Sequence, residues 1–217
     1  PSVNFKLRNA AGEAIEYMNY MSPVDIKGKL YILSGIRKSP GDPLRYLHLP
    51  LDKKGTVDGF MSFLHNLQDP NLVRVAAGTT TQDSMKEARL TNPDIENQVI
   101  ESMVRLTQVF ATRGFDGITQ DIEQRFPEAQ RKAVNEAFVK VLNASLRAVY
   151  LETLKRQSIT QPSDQDWEFY DDSLSAMANL PLYGSPWYVQ LTGFKHVQAS
   201  GLQMTRSPGQ NIVYLGC

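Results

Sequence analysis

A change of hydrophobic period near residue 56 constrains this chain more than any other feature. Before it, apolar residues come at every second position: Val3, Phe5 and Leu7 alternate with Asn4, Lys6 and Arg8. Such alternation turns one side of an extended chain to a core and the other to water. After it the spacing is three to four, at Val57, Phe60, Phe63, Leu64 and Leu67, which is the stripe of an amphipathic helix. A chain divided this way predicts strands first, helices after, and the fold class α+β.

Turn residues divide the first part. Asn9-Ala10-Ala11-Gly12 reads as a turn, Ala14 to Met21 as a second strand ended by Pro23, and Asp25 to Gly28 as another turn. Lys29 to Ile36 is the most apolar strand, and Leu44 to Leu49 a fourth, closed by Pro50. Connections this short join antiparallel neighbours into a meander.

Helices fill the middle, about 56–178. Asp69-Pro70 ends the first, a short one is expected from Asn71, and Gly78 to Thr81 shows no pattern. Asn92-Pro93 opens a long helix with the stripe Ile95, Val99, Met103, Leu106 and Phe110, and Gly114 stands where a helix-ending glycine should. Phe115 to Phe126 is a shorter helix stopped by Pro127, and Glu128 to Arg156 is the longest. Ser163 with Asp166 reads as a capping box ahead of Trp167, Tyr170, Leu174 and Met177. Alternation returns at Trp187–Phe194 and Leu202–Arg206. The expectation is one antiparallel sheet built from strands at about 2–49 and about 187–216, with the helical middle as a subdomain of a single domain, 1–217.

Lys plus Arg and Asp plus Glu each total 23, so the net charge is zero. No basic field is available to neutralise phosphates, and nucleic acid is excluded as the expected partner. No Gly-x-Ser-x-Gly elbow or phosphate-binding glycine loop occurs, which argues against a hydrolase or nucleotide enzyme. The scattered histidines and the acidic pairs near a helix start give no metal-ligand spacing, so no metal is expected. Nowhere does an apolar run approach the roughly 18 residues that span a bilayer. The chain starts at Pro1 without Met, and it is still apolar when it stops at Cys217. The expectation is a domain excised from a longer membrane protein.

Several stretches resemble the ResB (CcsB) family of cytochrome c biogenesis proteins. They are Val197-Gln198-Ala199-Ser200-Gly201-Leu202-Gln203 leading to Arg206-Ser207-Pro208-Gly209, Pro1 to Gly12, Glu16 to Met21, and Arg45-Tyr46-Leu47 with Leu49-Pro50. The resemblance implies the C-terminal part of a large extracytoplasmic domain, with Val213 to Cys217 entering the last transmembrane helix. It implies a location on the periplasmic side of the bacterial inner membrane. It also implies a non-catalytic docking or chaperoning surface in a System II complex, acting with ResC (CcsA) in haem delivery and attachment to apocytochrome c. A ResA-like thioredoxin is a further implied partner. Because family sequence precedes Pro1, an unpaired sheet edge, and with it dimerisation or edge pairing, is expected.

Haem is expected in the full complex rather than in this domain alone, since the family's haem-linked histidines lie outside this chain. Two other readings stay open: a haem-binding module with an axial His or Met, and a soluble enzyme of another kind. The residues to weigh for haem are His48, His65 and His196. For each, a packed or exposed histidine is the plainer reading. Met61 and His65 sit four apart on one helix face and cannot supply both axial positions of one haem. Cys217, the only cysteine, is read as a small apolar residue of a membrane helix, the other reading being a redox thiol.

Overall fold

The computed structural model describes residues 1–87, 92–184, 188–191, 193 and 195. Its strands are Ser2–Arg8 (β1), Ala14–Tyr20 (β2), Val24–Ile26 (β3), Lys29–Arg37 (β4) and Arg45–Pro50 (β5), all paired antiparallel. β2 and β3 lie end to end along one edge of β4, pairing Glu16–Asn19 with Arg37–Ser34 and Val24–Ile26 with Tyr31–Lys29. Pro23 falls in the gap between them, where its missing N–H costs the ladder nothing. β5 takes the other edge of β4, and the whole is the expected meander with one strand interrupted.

The turn expected at Asp25–Gly28 is shorter than its sequence suggested. Val24–Ile26 pairs as a strand, and only Lys27 and Gly28 turn, both at positive φ, in a two-residue hairpin loop. The Asp25 carboxylate accepts the Gly28 N–H at 2.8 Å and closes it.

The helices are Asp58–Gln68 (α1), Pro70–Glu87 (α2), Pro93–Arg125 (α3), Glu128–Arg156 (α4) and Asp164–Tyr183 (α5). α4 and the start of α3 match their sequence signals. Asn92 Oδ1 accepts from the amides of Asp94 and Ile95, and Ser163 with Asp166 forms the expected capping box. α2 is much longer than expected and runs straight through Gly78–Thr81. Tertiary packing overrides the weak local propensity there. Ala76, Ala77 and Thr81 are buried, and small side chains let α2 approach α3 and α4 closely.

α3 is two helices joined at Gly114, whose backbone (φ 62°, ψ −158°) only glycine adopts readily. A Cβ on Gly114 would stand 3.2 Å from the Ala178 carbonyl and 3.3 Å from Pro181 Cγ. The bend therefore sits where α5 crosses.

One core serves both halves. Tyr17, Ile32, Ile36, Leu47 and Leu49 from the sheet pack in the same cluster as Phe60, Phe63, Phe110, Leu146 and Val149 from the helices. Some polar groups inside it are paired, Thr107 Oγ1 with Ser145 Oγ at 2.7 Å and Asn66 Nδ2 to Thr153 Oγ1 at 2.8 Å, whereas the buried hydroxyls of Ser173, Tyr183 and Tyr188 have no hydrogen-bond partner among the described residues.

The expected C-terminal strands fall mostly on residues outside those described, as do Trp187, His196 and Cys217. Residues 188–191 are described and form no strand. Asn19, buried in β2, donates to the Val189 carbonyl at 2.6 Å, so a side chain ties this segment to the sheet. Among the described residues β1 pairs only with β2.

Candidate functional site

Strand parity assigns the sheet two faces of different character. Tyr17, Asn19, Ser34, Ile36 and Leu47 turn to the core. Met18, Gly35 and Tyr46 turn the other way, and Gly35 makes room for the Tyr46 ring. A Cβ on Gly35 would meet Tyr46 Cε1 at 3.0 Å. The Tyr46 ring meets Tyr20 edge-on at 6.1 Å, and its hydroxyl lies 3.8 Å from Met18 Sδ. Further along the same face His48 stands edge-on to Tyr31 at 5.9 Å. Tyr46 and His48 are exposed.

α5 runs beside β5, and the seam is a cleft of about 220 Å³. Tyr31, Tyr46 and His48 line it from the sheet, Asp172, Ser175 and Asn179 from α5. Asp172 accepts two hydrogen bonds from Lys29 Nζ, at 2.9 and 3.1 Å. The Lys29 ammonium is held above its usual range, first by that hydrogen bond. The Tyr31 phenol is pushed up by burial and then by the Asp172 charge.

This is where His48 lies, and the cleft around it is smaller than a site for a ligand the size of haem. Sites for small ligands occupy roughly 300–1,000 Å³, more than this cleft offers. Among the described residues, no second His, Met or Cys lines it to complete an axial pair. His65 lies in the last turn of α1, exposed. Met61 is half-buried on the same helix and packs on the core.

A larger cleft, about 510 Å³, opens where the β5–α1 loop meets α4 and α5. Two carboxylates build it. Asp52 accepts from the amides of Lys54 (2.9 Å), Thr56 (3.0 Å) and Gly59 (3.1 Å) and from Thr56 Oγ1 (2.9 Å). Asp166, only 5% exposed, accepts from Ser163 N and Oγ, both at 2.7 Å, and from Lys53 Nζ at 2.8 Å. Tyr150 Oη donates to the Asp166 carbonyl at 2.6 Å. The Tyr150 ring packs among Phe63, Trp167 and Tyr170, and Arg147 lies over Trp167 at 4.2 Å.

Burial alone would raise both carboxyls. For Asp52 the hydrogen bonds from Thr56, Lys54 and Gly59 outweigh it, and for Asp166 the bonds from Lys53 and Ser163 do, so both sit below the usual range. A general acid at neutral pH needs the opposite shift. These two groups are ionised, and their lone pairs are spent on holding loop, helix start and sheet together. Lys53, Asp52 and Tyr150 were not singled out from sequence. The cue was there in Asp52-Lys53-Lys54-Gly55, a side-chain-stabilised turn directly after a strand.

No group of three or more His, Cys, Asp or Glu that could hold a metal ion occurs among the described residues. Within them, no helix is long and apolar enough to cross a membrane.

The architecture so far is an α+β domain whose charged clusters bind its own elements together and whose sheet leaves an aromatic face to solvent. A family model, the ResB-like family, matches residues 1–217. The chain belongs to the ResB-like family, as its resemblance in the stretches near its two ends suggested. That family is a membrane-associated component of cytochrome c biogenesis and is not a known enzyme family. No curated protein and no solved structure matches the chain.

Proposed function

We propose that this domain is the periplasmic part of a ResB-type protein of a System II apparatus, and that it acts there as a non-catalytic docking surface. With ResC it assists delivery of haem to apocytochrome c, and a ResA-like thioredoxin is a further partner. The observation that carries the reading is the family match along the whole chain. The outward sheet face supports it. Tyr20, Tyr31, Tyr46 and His48 form an aromatic surface, and aromatic side chains with one polar edge are favoured at protein interfaces. Such a face suits the apolar side chains of an unfolded apocytochrome segment.

The test is co-purification of the full-length protein with ResC and with apocytochrome c. A Tyr46→Ser/Tyr20→Ser double variant, which alters only the outward face, should keep ResC and lose most apocytochrome capture. Unchanged capture would reject this face as the docking surface. A turnover activity of the isolated domain would reject the non-catalytic reading. Haem titrated into the isolated domain should give no Soret band that depends on His48.

A further inference from the structure

The stripe on α3 begins in solvent and ends in the core: Ile95 is 49% exposed, Met103 only 2%. Between those ends α2, α3 and α4 part to leave a cavity of about 450 Å³. Val99 and Met103 of α3, Met85 of α2, and Val141 and Ala144 of α4 supply its apolar wall. The volume lies within the range of small-ligand sites, and an apolar cleft open on one side suits a guest with an apolar body and a solvated end. Methionine, unbranched and polarisable, adapts to guests of irregular shape.

Two of its polar lining residues, Thr81 and Lys140, distinguish it from a packing fault. Thr81, 6% exposed, donates its hydroxyl to Met103 Sδ at 3.6 Å. Thioether sulfur is a weak acceptor, so this buried hydroxyl has no strong partner. Lys140 stands at the lining with its side chain exposed, and it makes no ion pair among the described residues. Its ammonium can stay in water while its methylenes lie along the apolar wall.

We infer that this cavity binds the aliphatic chain of an anionic amphiphile. The chain lies along Val99, Met103 and Val141, and the anionic head pairs with Lys140. The head can belong to a free long-chain carboxylate or to an anionic phospholipid.

The experiment uses the 217-residue chain with its methionine methyls labelled for NMR. Dodecanoate should shift the Met85 and Met103 resonances saturably and leave Met18 and Met61 unmoved. Dodecyltrimethylammonium should bind about fivefold more weakly, and Lys140→Gln should reduce the dodecanoate affinity by a similar factor, the scale of one exposed ion pair. Val99→Trp should abolish the shifts by filling the cavity. Vesicles of phosphatidylglycerol that reproduce the shifts, where phosphatidylcholine does not, assign the head to a lipid; shifts from dodecanoate alone assign it to a free carboxylate. Absence of saturable shifts at Met85 and Met103 in the unsubstituted chain overturns the inference, as does equal affinity for the cationic amphiphile. Neither outcome depends on how Val99→Trp folds.

Discussion

Two large cavities among the described residues, similar in size, are opposite in chemistry. The one at the β5–α1 loop, about 510 Å³, has three carboxylates at its wall, and two of them, Asp52 and Asp166, are satisfied by donors from their own surroundings. The one between α2, α3 and α4, about 450 Å³, has a largely apolar wall, a buried hydroxyl on a thioether and an ammonium with no ion pair among the described residues. The first is a joint, where Asp52, Lys53 and Asp166 are consumed in joining a loop, a helix start and a sheet. The second leaves its polar groups for something else. A cavity's volume therefore says little until its donors and acceptors have been accounted for.

Core truncation separates the two most strongly. Leu154, 4% exposed, walls the first cleft, and Leu154→Ala should cost about 2–5 kcal/mol in urea unfolding. Val99→Ala, at a half-buried wall of the second, should cost below about 1 kcal/mol. Equal costs would break the contrast between joint and open site.

Gly114→Ala tests how the joint is reached, because the bend of α3 lets α5 cross to the sheet. Forcing a side chain onto that backbone should cost about 1–3 kcal/mol. The nearby Ala178 carbonyl and Pro181 ring leave a methyl little room. Gly78→Ala, in the middle of α2 and open to within 3.9 Å of Ile100, should instead be neutral or mildly stabilising. Thermal melts of the pair give the comparison.

Much of the joint was legible before any coordinates. The capping box at Ser163 and Asp166, the cap at Asn92 and the break at Gly114 are local signals, each settled within four residues. What joins them is not local. Lys53 meets Asp166 across 113 positions and Lys29 meets Asp172 across 143, distances over which no periodicity reports. The length of α2 was hidden for a related reason: Gly78–Thr81 has poor helix propensity, and only packing against α3 and α4 holds it helical. His48 could be placed on a strand, but its cleft exists only because α5 docks on β5. The family resemblance rests on residues near the two ends, and the match over the whole chain extends it to the helical middle.

The smallest expected effect is the dependence of the joint on pH. Asp52 and Asp166 have folded-state pKa values below those of the unfolded chain, so the unfolded chain binds protons first as pH falls. Their contribution is fully present above the unfolded carboxylate pKa of about 4. It is lost progressively as pH falls from there through the lower folded values. Stability measured in urea should be flat between pH 6 and 7 as far as these groups are concerned, and should fall below about pH 4. Asp166→Asn should lower stability at pH 7 by about 1 kcal/mol, the worth of a helix cap, with the Lys53 pair adding little because that ammonium is 46% exposed. It should also flatten the acid limb, because one of the two titrating groups is gone. The matched control is Lys140→Gln. That side chain has no ion-pair partner among the described residues, and the substitution should change neither stability nor its pH dependence. If Lys140→Gln shifts the acid limb as Asp166→Asn does, the second cavity is tied into the fold's electrostatics, and its ammonium is not free for a ligand.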